Sequence, residues 1–189
     1  MKKIKKGEYG YRNSFKRRQL FKIGILVLFI LAQLGARFLT DSQPLKNILT
    51  VMAVVTVLPA ANLASPLVAI FNYHTPPESF YQEFHPYEEK FQVLYDLVIT
   101  TKDYVMPMDA IIVHPTGVYA YCINKKINIP DGEKALNEMF AAQRLDPNVK
   151  LTKELSTFEK RAKSLKPDSD YEDDGSVDYA VSLLKSLSM

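Results

Sequence analysis

The stretch Ile48–Phe71, ILTVMAVVTVLPAANLASPLVAIF, decides the architecture of this chain, because it contains no charged residue over 24 positions. At about 1.5 Å of rise per residue, such a helix is long enough to cross the roughly 30 Å hydrocarbon core of a bilayer. A chain of 189 residues is not expected to bury a helix that is apolar on all sides. We therefore predict a transmembrane helix, bent at Pro59 and Pro66, because membrane helices tolerate proline.

A second apolar stretch, Leu20–Thr40, precedes the first and contains the run IGILVLFILA. Its only charged residues, Lys22 and Arg37, lie near its ends, where long side chains can reach the membrane surface. A cleaved signal peptide is the alternative. The long basic segment before the stretch, the poor cleavage sequence Leu34-Gly35-Ala36 and the second span that follows all argue against it. We predict a transmembrane hairpin.

Charge is distributed very unevenly along the chain. The first 22 residues hold nine basic side chains and one acidic side chain, whereas the loop 41–47 holds a single lysine. By the positive-inside rule, both termini are expected in the cytoplasm. The basic side chains also predict contact with anionic lipid. Those assigned to the membrane surface are Lys2, Lys3, Lys5, Lys6, Lys16, Arg17, Arg18 and Lys22.

The part of the chain after the hairpin is acidic. From residue 72 onward there are 13 basic and 19 acidic residues, a net charge of −6, which disfavours nucleic acid as the main partner. Periodicity and turn signals predict a helix, three strands, a helix, a strand and a helix. In order, these are a helix at Glu78–Lys90 broken near Pro86, strands at Phe91–Thr100, Asp109–His114 and Val118–Asn124, a helix at 129–144, a strand at Val149–Leu151 and a helix at 152–165.

The sequence therefore predicts an α+β protein in five parts. They are a basic cytoplasmic arm at 1–19, the hairpin at 20–72 with helices at about 20–40 and 48–71, an α/β cytoplasmic domain at 73–165, a loosely ordered acidic linker at 166–176 and an amphipathic helix at 177–189. The last helix has an apolar face, so we expect it to dock on the domain, on the membrane or on a partner.

The predicted αβββαβ order is similar to the restriction-endonuclease-like fold, and MDAIIVHPTGVYAYCIN at 108–124 resembles the β-hairpin of the nuclease-related (NERD) family. In that family an aspartate opens one strand and a glutamate-x-lysine pair lies on the next. Asp109 falls on the aspartate, whereas the glutamate and lysine positions fall on Cys122 and Asn124. The resemblance therefore implies a nuclease-like fold that lacks the catalytic set.

The chemistry of such nucleases explains why this departure matters. They hold Mg²⁺ with carboxylates and use the lysine to stabilise the developing charge, and a thiol and a carboxamide cannot replace those groups. We therefore expect a non-catalytic binding or scaffold module. The alternative is a membrane-bound hydrolase or nuclease-like enzyme that uses Asp109 with Lys125 or Lys126, or Cys122 with His114 as its base.

No cofactor or metal site is predicted from the remaining residues. The three histidines, His74, His85 and His114, do not form a pair at ligand spacing, and no glycine-rich phosphate loop is present. Cys122 is the only cysteine, so no intramolecular disulfide can form. We expect a protein partner or a homo-oligomer instead.

The whole chain also resembles a group of Firmicutes membrane proteins of the same layout. The matching features are the start GEYGY at 7–11, the VLPA segment at 57–60 within the second span and the first strand YDLVITT at 95–101. Some members carry the label of O-linked N-acetylglucosamine transferases, but the tetratricopeptide repeats and the double Rossmann domain of such enzymes do not occur in this sequence. The resemblance implies a bacterial protein of the cell (inner) membrane.

Overall fold

The computed structural model describes residues 4–101 and 104–189, which divide into two compact units. The α+β unit comprises the described residues up to Arg12 together with those from Tyr73 onward. The helical unit comprises Asn13–Asn72. The short N-terminal segment is therefore part of the folded α+β unit, whereas the sequence predicts a separate arm.

Two long helices dominate the N-terminal part of the chain, as predicted. They are α1, Tyr11–Leu39, and α2, Gln43–Ile70, and both are long and apolar enough to cross a membrane. Only 6% of each apolar window is buried. Helix α1 begins at Tyr11 rather than Leu20, because the Arg, Lys and Gln residues between them are good helix formers.

The start of α1 and the end of α2 are joined within the helical unit. The ammonium of Lys16 donates a hydrogen bond of 2.8 Å to the carbonyl of Phe71, the residue that caps the C-terminus of α2. A lysine at that position satisfies a carbonyl that has no partner inside its own helix and complements the helix dipole. The two ends are therefore adjacent, as a hairpin requires.

The α+β unit contains a four-stranded mixed sheet with helices before, between and after its strands. Its elements are α3 (Glu78–Phe84), a 3₁₀ turn (His85–Glu89), β1 (Gln92–Thr100), β2 (Val105–His114), β3 (Gly117–Cys122), α4 (Ile129–Ala142), β4 (Val149–Thr152), α5 (Leu155–Ser164) and α6 (Ser176–Leu187). The strand order is β1-β2-β3-β4. The first two pairs are antiparallel, and β4 runs parallel to β3 after the α4 crossover. The predicted order of elements is observed.

Two strand ends differ from the prediction. Strand β2 begins at Val105 rather than Asp109. Proline is rare inside strands, but Pro107 is accommodated here: it pairs with Val98, and its carbonyl accepts a hydrogen bond from the amide of Ile123. Strand β3 ends at Cys122, because the carboxamide of Asn124 donates to the carbonyl of Val105 and turns the chain.

The acidic segment 166–176 is more ordered than predicted. It contains a 3₁₀ turn at Asp168–Asp170, and the amide of Asp168 donates a 2.7 Å hydrogen bond to the carbonyl of Lys90. This segment is therefore tied to Lys90, two residues before β1.

Helices cover both faces of the sheet, since neighbouring strand residues such as Ile111 and Ile112 belong to different apolar clusters. The first cluster joins Ile111 to Leu136 of α4 and Leu184 of α6. The second joins Ile112 to the aromatic side chains of α3 and α5. Helix α6 therefore docks on the sheet of its own unit, which answers where the C-terminal helix binds.

Both ends of the described chain lie on the outer edge of β1. The amide of Tyr95 donates to the carbonyl of Gly7 at 2.8 Å, and the amide of Met189 donates to the carbonyl of Val98 at 3.1 Å. The hydroxyl of Ser188 accepts a bond from the amide of Val98. An exposed strand edge invites pairing with other chains, so these contacts protect it.

Candidate functional site

Two aspartates face each other across the first two strands, at a point where both strands are irregular. Tyr95 pairs with Ala110 and Leu97 with Met108, which places Asp96 opposite Asp109. Asp96 has a φ of +58°, a left-handed conformation that is unusual for a residue inside a strand. The register of β2 against β3 shifts at Asp109, which marks a β-bulge. A bulge redirects the side chain of the residue that it contains, here Asp109, and the left-handed φ of Asp96 gives the second carboxylate an unusual direction as well.

Arg12, in the first turn of α1, lies between these carboxylates and is 1% exposed. Its Nη1 donates to Asp109 Oδ1 at 2.9 Å and to the carbonyl of His74 at 2.6 Å. Its Nη2 donates to the carbonyl of Met108 at 3.0 Å and lies 3.8 Å from Asp96 Oδ1. The guanidinium thus faces protein oxygens from three segments of the α+β unit.

The other oxygen of Asp96 holds the N-terminal segment. Asp96 Oδ2 accepts hydrogen bonds from the amide of Gly10 at 2.9 Å, from the amide of Arg12 at 3.4 Å and from the hydroxyl of Thr75 at 2.6 Å. A carboxylate that accepts amide hydrogens at a helix start is stabilised by the helix dipole. Asp96 therefore acts as a cap for α1, supplied by a strand far away in sequence.

Burial controls the electrostatics of the two acids. It raises the pKa of Asp96, and the Arg12 charge and the hydrogen bonds from Thr75, Arg12 and Gly10 oppose this shift without cancelling it. Burial likewise raises the pKa of Asp109 against the effect of Arg12, and the neighbouring Asp96 adds to the rise. One guanidinium therefore serves two carboxylates in a cluster that excludes solvent, and both carboxylates depend on it to remain ionised.

Cys122 is fully buried in the apolar cluster under α4 and α6, and burial raises the pKa of its thiol. A thiol in such surroundings is a poor nucleophile. Cys122 pairs with Met108 and Gly117 with His114, so Cys122 and His114 lie at opposite ends of the β2–β3 hairpin. At about 3.4 Å per residue they are separated by roughly 17 Å. The hypothesis of a Cys122–His114 pair is therefore wrong.

His114 has a structural role. Its Nδ1 accepts the amide hydrogen of Thr116 at 3.1 Å, which requires the ring proton to lie on Nε2 when the imidazole is neutral. Nε2 then donates to the carbonyl of Lys166 at 3.0 Å. Both nitrogens are used, and His114 connects the β2–β3 turn to the acidic segment.

The residues after β3 form a turn. The carboxamide of Asn124 bonds the carbonyl of Val105 and the amide of Lys126, which stabilises this turn. Lys125 and Lys126 are exposed, whereas Asp109 is buried, and the carbonyl of Lys125 accepts a bond from the Lys153 ammonium. The expectation that Lys125 or Lys126 reaches inward to Asp109 is not met. Within residues 4–101 and 104–189, no three His, Cys, Asp or Glu side chains are grouped so that they could hold a metal ion.

The basic residues assigned to the membrane surface separate into different environments. Lys2 and Lys3 lie outside the described residues, and Lys5 is exposed. Lys6 donates to the carbonyl of Ser188 at 2.6 Å, and burial lowers the pKa of its ammonium. Lys16 bonds the end of α2, as described above. The remaining three, Arg17, Arg18 and Lys22, lie together with Phe21 around one shallow groove.

Sequence reasoning missed the two residues that complete the Asp109 cluster. Both were visible in the sequence: Asp96 is a single acid within the otherwise apolar strand YDLVIT, and Arg12 directly follows the GEYGY start. A charged residue among apolar strand residues needs a buried partner, so the position of Asp96 in the sequence already indicates that such a partner exists. Nothing in the sequence alone indicates that Arg12, more than 80 residues earlier, is that partner.

No protein-family model, curated protein or solved structure matches this chain.

Proposed function

We propose that this protein is a two-span bacterial membrane protein that presents a non-catalytic α+β domain, a binding or scaffold module, on the cytoplasmic side of the inner membrane. The support for membrane insertion is the apolar surface of α1 and α2, of which only 6% per window is buried. A surface of that extent is stable in lipid and not in water. The nine basic residues among the first 22 positions favour a cytoplasmic location for the N-terminal end of α1.

The domain is proposed to be a degenerate member of the restriction-endonuclease-like folds. The support is the sequence of elements, with α3 first, then the β1-β2-β3 meander, then α4, then β4 parallel to β3. Asp109, which the resemblance aligns with the aspartate of the nuclease-related family, lies in the middle of β2 and not at its start.

The observation that carries the non-catalytic assignment is the hydrogen bond of 2.9 Å from the Arg12 guanidinium to Asp109. This carboxylate belongs to a buried ion cluster in which Arg12 also bonds two backbone carbonyls. A substrate or a cation would have to displace a guanidinium that is itself fixed in the first turn of α1. Asp109 therefore serves to hold the N-terminal segment up to Arg12 in place within the α+β unit.

The second candidate function is an enzyme with a remodelled site around Asp109. The positive φ of Asp96 and the bulge at Asp109 favour it, because strained backbone and bulges are concentrated at functional sites. In that case Asp96 would supply the second carboxylate, and the Arg12 contact would be one state of a working site.

Single replacement of each carboxylate separates the two candidates. Asp109→Asn and Asp96→Asn keep the side-chain shape and one carbonyl oxygen that Arg12 can bond, but they remove the negative charge. The variants are expressed in a host strain in which loss of the protein has a scorable phenotype. If the protein is a binding module, both variants should restore the wild-type phenotype fully at wild-type protein levels. If either carboxylate takes part in acid–base or metal chemistry, its replacement should lower activity by about 100-fold or more while the variant remains folded.

Folding has to be scored in the same cells. The matched control is Glu154→Gln, a similar loss of one carboxylate at an exposed position. Wild-type membrane levels with lost function in Asp109→Asn, alongside full function in Glu154→Gln, would overturn the non-catalytic assignment.

A further inference from the structure

One face of helix α2 carries an amide side chain near the middle of its apolar stretch. Asn62 is exposed, and at about 1.5 Å per residue it lies roughly 4 Å from the centre of the stretch Ile48–Phe71. The hydroxyls of Thr50 and Thr56 donate to carbonyls of their own helix at 2.8 Å and 2.7 Å. Across residues 4–101 and 104–189, by contrast, the carboxamide of Asn62 forms no hydrogen bond. Its two N–H donors and its oxygen acceptor are therefore unused.

Two prolines add hydrogen-bond acceptors to the same face. Pro59 and Pro66 lie inside α2 and have no amide hydrogen. The carbonyls four residues earlier, those of Val55 and Asn62, therefore lack their usual helical donor. Residues 55, 62 and 66 share one side of the helix, because they are spaced by seven and four positions. Val55 and Asn62 are both exposed, so this face combines an unused amide with two backbone carbonyls that need a donor.

Helix α1 covers the other side of α2. Ala53 lies half a turn around the helix from Asn62 and is buried in the hairpin. In the hydrocarbon core of a membrane no water is available to polar groups, so leaving them unpaired is costly. Membrane helices tolerate proline where a neighbouring helix satisfies the freed carbonyl. We therefore expect the partner of Asn62 to come from a second hairpin.

A second copy of this chain has the chemistry that this face requires. Two copies inserted in the same orientation are related by a two-fold axis along the membrane normal, so Asn62 of each copy lies at the same depth. The residue offers both donors and acceptors, which makes the face complementary to itself. Its neighbours Ala61 and Ser65 are small and exposed, and small residues allow two membrane helices to approach closely.

We propose that the chain forms a homodimer through this face of α2. In the dimer, the carboxamide of Asn62 in each copy donates a hydrogen bond to the backbone carbonyl of Asn62 in the other copy, the carbonyl that Pro66 leaves without its helical donor. The inference rests on the proposed membrane insertion and assigns the partner of the hairpin: a second hairpin of the same sequence.

The test measures association of the full chain in phospholipid vesicles by energy transfer between dyes. Each dye is attached to a single cysteine placed at Ser156, exposed on α5, in a Cys122→Ala background. We expect Asn62→Leu to weaken association by about tenfold, because two reciprocal hydrogen bonds are lost. The matched control is Thr56→Val, which removes a hydroxyl that already bonds its own helix and should leave association unchanged.

A wild-type chain that stays monomeric in the vesicles at every protein-to-lipid ratio would overturn the dimer. Unchanged association in Asn62→Leu would do the same, as would an equal loss in Thr56→Val. The acceptor is tested separately by Pro66→Ala, which restores an amide hydrogen to the carbonyl of Asn62. This change should also weaken association, and an unchanged dimer would contradict the assigned hydrogen bond.

Oxidative cross-linking locates the contact face. Leu58 lies one turn before Asn62 on the same side of α2, whereas Val57 lies on a different side at almost the same depth, and both are exposed. In the Cys122→Ala background, Leu58→Cys should cross-link two copies and Val57→Cys should not; equal cross-linking contradicts the face. Failure of the wild-type chain to insert, seen as its extraction by alkaline carbonate, would instead reject the proposed function. The two failures are therefore distinguishable.

Discussion

Replacing Arg12 by methionine is the most informative perturbation of the α+β unit. Methionine has similar length and removes the guanidinium. Asp109 then loses its 2.9 Å hydrogen bond, and the carbonyls of His74 and Met108 lose their bonds from the same side chain. Asp96 keeps its bonds from the Gly10 amide and the Thr75 hydroxyl.

The size of the destabilisation follows from the burial of the acceptor groups that lose their hydrogen-bond donor. Each buried acceptor that loses its donor costs about 1–3 kcal/mol, and removing one partner of a buried ion pair costs about 3–5 kcal/mol. These costs overlap, so we expect the free energy of unfolding to fall by about 3–5 kcal/mol. For a domain of this size the melting temperature should fall by about 10–20 °C.

The loss of stability caused by Arg12→Met should depend on pH. The native pKa of both carboxyls is already raised by burial, and removing Arg12 removes the charge that lowers them. As the pH falls through these raised native values, towards the ordinary value of about 3.9, the carboxyls become neutral and no longer need the cation. The deficit of Arg12→Met should therefore be larger at neutral pH than in acidic solution.

The assay is thermal unfolding of the full chain in detergent, followed by near-ultraviolet circular dichroism of its eleven tyrosines. A variant that also carries Asp96→Asn and Asp109→Asn should regain most of the stability, because buried ion clusters can be replaced by neutral groups at little cost. A melting temperature of Arg12→Met within about 2 °C of the wild type, or a deficit that grows at low pH, would refute the role assigned to the cluster.

Two further predictions concern the ends and turns of the α+β unit. Lys6 donates to the carbonyl of Ser188, the residue that caps the C-terminus of α6, so Lys6→Ala should lower the free energy of unfolding by about 1 kcal/mol. Lys5→Ala, at an exposed neighbouring position, should not, and equal effects of the two changes would contradict this role of Lys6. Gly117→Ala places a Cβ atom 2.6 Å from the carbonyl oxygen of Asn148 at a φ of +140°, so thermal unfolding should show a loss of about 1–3 kcal/mol, and a neutral result would contradict the geometry of the β2–β3 turn.

The sequence predicts the order of elements well, because each signal is local. The apolar windows before residue 72, the turn at Pro115-Thr116-Gly117 and the proline near the start of α4 all act through neighbouring residues. The break in the helix after residue 78 also occurs, where a 3₁₀ turn containing Pro86 follows α3. Hydrophobic periodicity and turn chemistry are sufficient for these features.

The candidate site is less predictable, because it is made of contacts between distant segments. Asp109 was identified from the family resemblance, but its true partner is Arg12, which sequence reasoning assigned to the basic arm at 1–19. A run of basic residues indicates membrane topology and does not show which members face inward. The positive φ of Asp96 is likewise set by the contacts of its carboxylate and not by strand propensity.

The membrane anchor is the claim on which the remaining proposals depend, and labelling with a membrane-impermeant maleimide tests it most directly. In a Cys122→Ala background, single cysteines are placed at Ser42, exposed before α2, and at Ser156, exposed on α5. A hairpin with both termini in the cytoplasm predicts labelling of position 42 in intact cells, and of position 156 only after the membrane is opened. Labelling of position 156 in intact cells, or recovery of the protein in the soluble fraction, would contradict the account.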